Sequence, residues 1–328
     1  MILEPLDQRT INWDFSRFES RDCPFCGAIG AEPSYIRPDK CSVLSCSMCG
    51  CYYVSPAPSE GLLNDFYSSY HIAHFGGRIG GGVENIKSEL DVLDPLSDPR
   101  LSFLVKDMPS KSGAEYRVLD FGCGLGEFLY QAKRLGASVA GVEFDHAAVS
   151  ICHQLGLESV SLGGIDVLKT IDEKFDLIVL NDVIEHLLNP NQLISALCEL
   201  LDNGGKILIW TPNGDAIAND DRKIALRVDL EHMQYLTSGA VSELCRKSGL
   251  SVYHYQQLGF PSDSNFIVDL SERSWKAQIK SRLLTCLVDL GLMAFVRRSL
   301  LRFGYKRDIY LSGGNYNLFC VLVKGGLK

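Results

Sequence analysis

The 328-residue sequence has no basic excess: 32 Lys and Arg stand against 40 Asp and Glu, a formal net charge of -8. A general nucleic-acid binder carries a surplus of positive charge to neutralise phosphates, so the composition argues against that class, leaving room only for a local basic patch. No uninterrupted apolar run reaches about 18 residues, the length a spanning helix needs. No early stretch joins a charged start, an apolar run and a small-residue cleavage site, so the expectation is a cytoplasmic protein without a secretory signal. No repeat of fixed period is visible either. Without export, the twelve cysteines do not read as a disulfide framework. What is present is ordinary for a globular chain: 46% hydrophobic and 22% charged residues. The length suits one catalytic domain and a small accessory module.

The texture changes along the chain. Residues 1–75 are rich in Cys, Pro and Tyr and form a first module. Residues 76–112 begin with the glycine-dense GGRIGGG (Gly76 to Gly82), a joint that holds no regular element, and continue as a helical linker interrupted near Pro95 and Pro99. Residues 113–258 alternate short apolar runs with amphipathic stretches: RVLDF, EFLYQAKRLG, ASVAGVEF, HAAVSICHQLG, FDLIVLND, NQLISALCELL and GGKILIWTP. That pattern predicts an α/β core, a mostly parallel sheet covered by helices on both faces. SVYHYQQL reads as a sixth strand and NYNLFCVLVK as the last, within 313–328. Between them, 259–312 form an insertion. Its part from 272 to 308 holds nine Lys or Arg and three acids with apolar residues interleaved. This suits amphipathic helices packed on the core or a peripheral membrane contact.

VLDFGCGLGEFL is the most informative segment. The strand Val118–Phe121 runs into a turn carrying Gly122, Gly124 and Gly126, and glycines let backbone approach a ligand closely. Ligands of open parallel sheets bind at the carboxyl ends of strands. Asp120, just before the turn, suits a sulfonium ligand with a free amino group better than a phosphate. Glu143 lies 21 residues after Gly122, at the tip of the second strand, where a carboxylate accepts both hydrogen bonds of a ribose diol. The loop lacks the GxGxxG spacing of a dehydrogenase.

From about Tyr116 to Tyr253 these segments resemble the Rossmann-like S-adenosylmethionine-dependent methyltransferases. The resemblance implies a seven-stranded sheet, with Asp120 and the glycine loop on the methionine part, Glu143 on the ribose and Phe144 against the adenine. Asn181 and Asp182 would lie on the floor beside the sulfonium, with Asp166 a weaker adenine-side candidate.

Six cysteines fall between Cys23 and Cys51. Cys23-Pro-Phe-Cys26 and Cys46-Ser-Met-Cys49 are two CxxC pairs, 19 residues apart, each followed by glycine. Two such knuckles predict a tetrahedral thiolate site for a structural Zn2+, with Cys41 and Cys51 spare. A zinc ribbon ahead of a methyltransferase domain is similar to bacterial sugar C-methyltransferases and glycan-cluster methyltransferases. That resemblance implies a small nucleotide-sugar or glycan-related acceptor, methylated at O or C. It also implies acceptor-facing roles for His186, Glu231, His232 and a tyrosine, Tyr67 or Tyr70. His232, oriented by Glu231, is the expected general base. His186 either shares that role or caps a helix. Two other functions compete: an RNA methyltransferase gripping its substrate with the ribbon, which the acidity disfavours, and a non-catalytic cofactor-binding partner subunit, which the intact site residues disfavour.

Overall fold

The computed structural model describes residues 1–6, 11–67, 82–110, 115–220, 223–259 and 314–325. The amino-terminal part holds β1 (Phe18–Glu19), β2 (Glu32–Ile36), β3 (Ser42–Ser45), β4 (Tyr52–Val54), β5 (Ala57–Pro58) and helix α1 (Glu60–Tyr67). Two helices follow, α2 (Val83–Val92) and α3 (Pro99–Asp107). Their separation has the expected cause: Pro95 and Pro99 each sit at a helix start, where a missing N–H costs nothing. Asp98 caps α3 by accepting from the Arg100 amide.

The catalytic part alternates as its periodicity predicts: β6 (Arg117–Phe121), α4 (Glu127–Arg134), β7 (Ser138–Glu143), α5 (His146–Gln154), β8 (Val160–Leu162), α6 (Ile165–Leu168), β9 (Phe175–Asn181), α7 (Pro190–Leu200) and β10 (Leu201–Pro212). After these come α8 (Gly214–Asn219), β11 (Gln234–Tyr235), α9 (Ser238–Ser248), β12 (Leu250–Leu258) and β13 (Asn317–Lys324). The main sheet has seven strands in the order β12-β13-β10-β9-β6-β7-β8. β13 is antiparallel to β10 and β12, and the other pairings are parallel. Leu177 to Leu180 in β9 are fully buried, as a central strand covered on both faces requires. α7 buries Leu193, Ile194, Leu197 and Leu200, one stripe at helical spacing.

The chain runs β6, β7, β8 to one edge, then returns to lay β9 on the other side of β6. The strand order therefore reverses between β6 and β9, and the crevice at their carboxyl ends is where such sheets bind ligands. Asp120 and Asn181 end up at that point.

The amino-terminal strands do not form a closed unit. β2, β3 and β4 make an antiparallel meander whose fourth strand is β11, from beyond residue 230. The cysteines Cys23, Cys46, Cys49 and Cys51 share one core cluster with Leu193, Leu197, Ala240, Val241 and Leu244 of the catalytic helices. Contact is close enough that a Cβ on Gly239 would fall 2.3 Å from the Cys49 carbonyl oxygen. The expected glycine joint, Tyr70 and the basic insertion lie outside the described residues, apart from Gly82. His186 does not cap a helix; the cap position of the following helix is Asn189. Residues 184–186 form a turn and the helix begins only at Pro190, where proline presets the first helical dihedral.

Candidate active site

The glycine turn is built as a close-approach loop. Gly122 has φ +76°, and a Cβ there would meet Val183 at 2.5 Å. Its role is steric as well as conformational. The Glu143 carboxylate at the tip of β7 accepts from the Gly124 amide at 2.7 Å through one oxygen. Through the other it accepts from the Phe144 and Asp145 amides at 2.7 and 2.9 Å. It thus pins the loop to the neighbouring strand. Phe144 is 46% exposed, a ring left on the surface beside this carboxylate. Asp166 is not drawn in: its side chain faces solvent and pairs with Lys169 at 2.9 Å.

Asp120 is fully enclosed, and among the described residues its Oδ1 has no hydrogen-bond partner. Burial pushes its pKa up to about 7, against the opposing pull of Arg100. A buried carboxylate with an unused oxygen fits a cationic ligand group. Arg100 was not singled out from the sequence, and no local signal marks it. It reaches the site from α3, donates to Asn181 Oδ1 at 3.0 Å, pairs with Asp98 at 2.6 Å and lies over the Trp210 ring at 5.1 Å. Asp182, with φ +51°, keeps an exposed surface although protein crowds its carboxyl. Burial raises its pKa to about 6, again moderated by Arg100. Arg100 thereby links the Asp120 side of the crevice to the Asp182 side.

Beyond Asp182 stand the histidines. The rings of His186 and His232 are 4.8 Å apart, edge to face. The Tyr67 hydroxyl lies 2.8 Å from His186 Nδ1. Burial, reinforced by His232, pushes His186 down to about 3, so it is neutral at physiological pH. Burial holds the Tyr67 phenol well above its ordinary range, with Glu231 adding to the effect, so Tyr67 donates and His186 accepts. The fold therefore brings together Tyr67, His186, Glu231 and His232, as expected. It adds two acids that the sequence reading passed over, Glu185 and Asp229. Glu185 sits next to His186 in the chain, which was an available signal. Its carboxyl is pushed well up by burial, with Asp182 contributing. Ligand atoms of Glu185, His186 and His232 lie within 4.8 Å of one another and could take a metal ion.

The four knuckle sulfurs of Cys23, Cys26, Cys46 and Cys49 also lie within 4.8 Å of one another. Cys26 and Cys46 are 3.4 Å apart, and Cys23 and Cys49 are 3.5 Å apart. Tetrahedral Zn–S bonds of about 2.3 Å require S···S separations of roughly 3.8 Å, so the set fits such an ion after minor adjustment. Cys51 Sγ is 3.4 Å from Cys23 Sγ, a fifth thiol at the edge of the cluster. Cys41 is apart from it, packed in a different core cluster.

A parallel-sheet crevice with a buried carboxylate at one strand end, a second carboxylate at the tip of the next strand and a glycine turn between them is a Rossmann-like arrangement. Residues 94–255 match the family described as Methyltransferase domain. The chain is 27% identical over 188 residues to the ubiquinone biosynthesis O-methyltransferase of Nitrosococcus oceani, covering 53% of this chain and 78% of that one. It is 32% identical over 131 residues to the Xylella fastidiosa protein of the same name, covering 37% and 50%. With the human mitochondrial ubiquinone biosynthesis O-methyltransferase it shares 27% identity over 127 residues, 36% of this chain and 34% of that one. Among solved structures it is similar to an S-adenosylmethionine-dependent methyltransferase from Archaeoglobus fulgidus, at 19% identity and TM-score 0.44, covering 78% of this chain and 100% of that one. The chain is an enzyme, an S-adenosylmethionine-dependent methyltransferase.

The acceptor expectation is overturned by these relatives. They carry the name of O-methyltransferases of quinone biosynthesis, not of sugar C-methyltransferases. A nucleotide-sugar or glycan-related acceptor, and with it a place in carbohydrate biosynthesis, is therefore set aside. The reason it misled is physical: a zinc ribbon reports how the amino-terminal strands are held together and carries little information about the acceptor. Among the described residues, no helix is long and apolar enough to cross a membrane.

Proposed function

We propose that this enzyme methylates a ring hydroxyl of a small aromatic acceptor, the O-methylation that the relatives' name records. The observation that carries the reading is the array Tyr67–His186–His232, set beside Asp182 at the switch point of the sheet. S-adenosylmethionine, when bound, supplies an activated methyl group on a sulfonium. Asp120 would hold the amino group of its methionine part, which would draw the carboxyl to its ionised form, and Arg100 would hold the carboxylate. Glu143 would hold the ribose hydroxyls, Phe144 would lie against the adenine face, and Asn181 and Asp182 would line the floor near the sulfonium.

On the acceptor side, His232 would take the hydroxyl proton and Glu231, its chain neighbour, would orient the ring; the methyl–sulfur bond would break as the methyl–oxygen bond forms, and the sulfonium would leave as a neutral thioether. His186, held neutral, accepts from Tyr67 and fixes that phenol against the acceptor rather than acting as the base. Neutral imidazole that protonates only near pH 3 has too little proton affinity for the task. Zn2+ is proposed in the Cys23, Cys26, Cys46 and Cys49 site. Four thiolates leave no open position, so it takes no part in bond-making.

The test uses 3,4-dihydroxybenzoate as acceptor probe. His232→Ala should lower turnover by about 10²- to 10⁴-fold, the usual worth of a positioned base, with cofactor affinity nearly unchanged. The acidic limb of the pH profile should disappear with it. Turnover equal to that of the unaltered enzyme would remove His232 from the mechanism.

A further inference from the structure

The segment that carries His232 has no regular secondary structure of its own. Residues 227–233 lie between a 3-10 turn (Ile224–Leu226) and the two-residue strand β11. Asp229 within it has φ +51°. Such a segment holds a catalytic ring in place only if its backbone is fixed from outside. The fixing group comes from the amino-terminal module.

Arg37 follows directly on β2 and is 1% exposed. Its guanidinium has five N–H donors in a planar fork, and all five are engaged. Nε and one Nη2 proton form a bidentate pair with the Asp39 carboxylate, at 3.1 and 2.6 Å. The second Nη2 proton goes to the Leu230 carbonyl and one Nη1 proton to the His232 carbonyl. The remaining Nη1 proton meets the Tyr235 hydroxyl at 3.2 Å. The two carbonyls bracket the pair Glu231–His232. Asp39 is held in turn by the Trp13 indole at 2.9 Å and the Cys41 amide at 3.3 Å. The carboxylate that orients the clamp is therefore held from within the first module.

We propose that Arg37 is a positioning residue for methyl transfer. It sets the place of the His232 ring, through the backbone on either side of it, and so makes the amino-terminal module part of the acceptor site. This rests on the reading of His232 as the base. Lysine cannot substitute, because three donors on one nitrogen do not span a carboxylate, two carbonyls and a phenol.

The test is a double-mutant cycle on turnover of 3,4-dihydroxybenzoate, with metal content and S-adenosylhomocysteine affinity measured on every variant. Arg37→Gln should retain about one zinc per chain and a cofactor affinity within about twofold, while turnover falls about 10- to 100-fold. Arg37→Lys should recover little of it. Because Arg37 acts through His232, the Arg37→Gln/His232→Ala enzyme should be no slower than His232→Ala alone. Multiplying losses, or unchanged turnover in Arg37→Gln, overturns the proposal. Unchanged turnover in His232→Ala overturns the base assignment; a loss confined to Arg37→Gln would then show Arg37 acting by another route and overturn this proposal too.

If Arg37→Gln fails to hold zinc, Asp39→Asn is carried through the same cycle on the same terms. A second readout needs no acceptor. In protein labelled at histidine, Arg37→Lys should move the His232 ring resonance and leave that of His153, whose ring lies 2.8 Å from the Val160 carbonyl oxygen, in place. An unmoved His232 resonance contradicts the proposal.

Discussion

Asp120 meets an environment far from that of a surface carboxylate. Enclosure lifts its pKa from 3.8 to about 7, so the folded chain binds a proton there that the unfolded chain has released. Between about pH 4 and 7 the native state therefore holds more protons, and its stability from this site falls as pH rises. Bound sulfonium and ammonium charge reverses the preference. Cofactor affinity should rise with pH between about 6 and 8, and calorimetry should show that slope flattened and the affinity reduced in Asp120→Asn. Equal slopes in the two proteins would mean that another group faces the ligand. Glu143 was read from the sequence as the ribose carboxylate; it also secures three amides, those of Gly124, Phe144 and Asp145. Glu143→Ala should weaken S-adenosylhomocysteine binding by roughly 1 to 3 kcal/mol, the cost of losing charge-assisted bonds. These two carboxylates were legible because each sits at the end of an apolar run. Arg100 and Arg37 were not, since their partners Asn181 and His232 lie far away in the chain.

At the scale of elements, the central strands declared themselves by uninterrupted apolar runs, and the helices between them by their stripes. The short edge strand β8, three residues with two exposed, had the weakest signal, because an edge needs little apolar sequence. β11 gave none at all: two residues, Gln234 and Tyr235, acquire strand character only by pairing with Tyr53 and Tyr52 of β4. Around it the docking is dense. Arg21 donates to the carbonyls of Val54, Leu188 and Met233 and to Gln234 Oε1. Gln234 in turn reaches the Ile184 and Leu187 carbonyls on either side of the His186 turn. Helix α9 is joined to the same knuckle by its cap, with Thr237 Oγ1 bonded to the Cys49 carbonyl at 2.9 Å. Gly239→Ala should push that first turn off the knuckle and cost about 1 to 3 kcal/mol in chemical denaturation, with easier loss of the bound metal. A stability change below about 0.5 kcal/mol would show that the helix and the knuckle yield freely.

Across the whole molecule, the amino-terminal module and the methyltransferase core share a sheet and a core cluster, and Tyr67 of the first meets His186 of the second. Composition separates the two as textures but gives no hint that they interlock, because interlocking resides in backbone carbonyls that every sequence possesses. Metal analysis should find about one zinc per chain. Stripping it with a strong chelator should abolish transfer to 3,4-dihydroxybenzoate while the central sheet keeps its circular-dichroism signal, since the core strands have stabilising contacts of their own. Full transfer by metal-free protein would separate the knuckles from the acceptor site. The most direct measurement of the central claim follows the methyl group itself. The enzyme is incubated with S-adenosylmethionine carrying a deuterated methyl and with 3,4-dihydroxybenzoate, and the product is analysed by mass spectrometry and NMR. The deuterated methyl is expected on a ring oxygen, in amounts that collapse in His232→Ala. Label on a ring carbon, or none on the acceptor while the labelled cofactor binds tightly, would contradict the central claim.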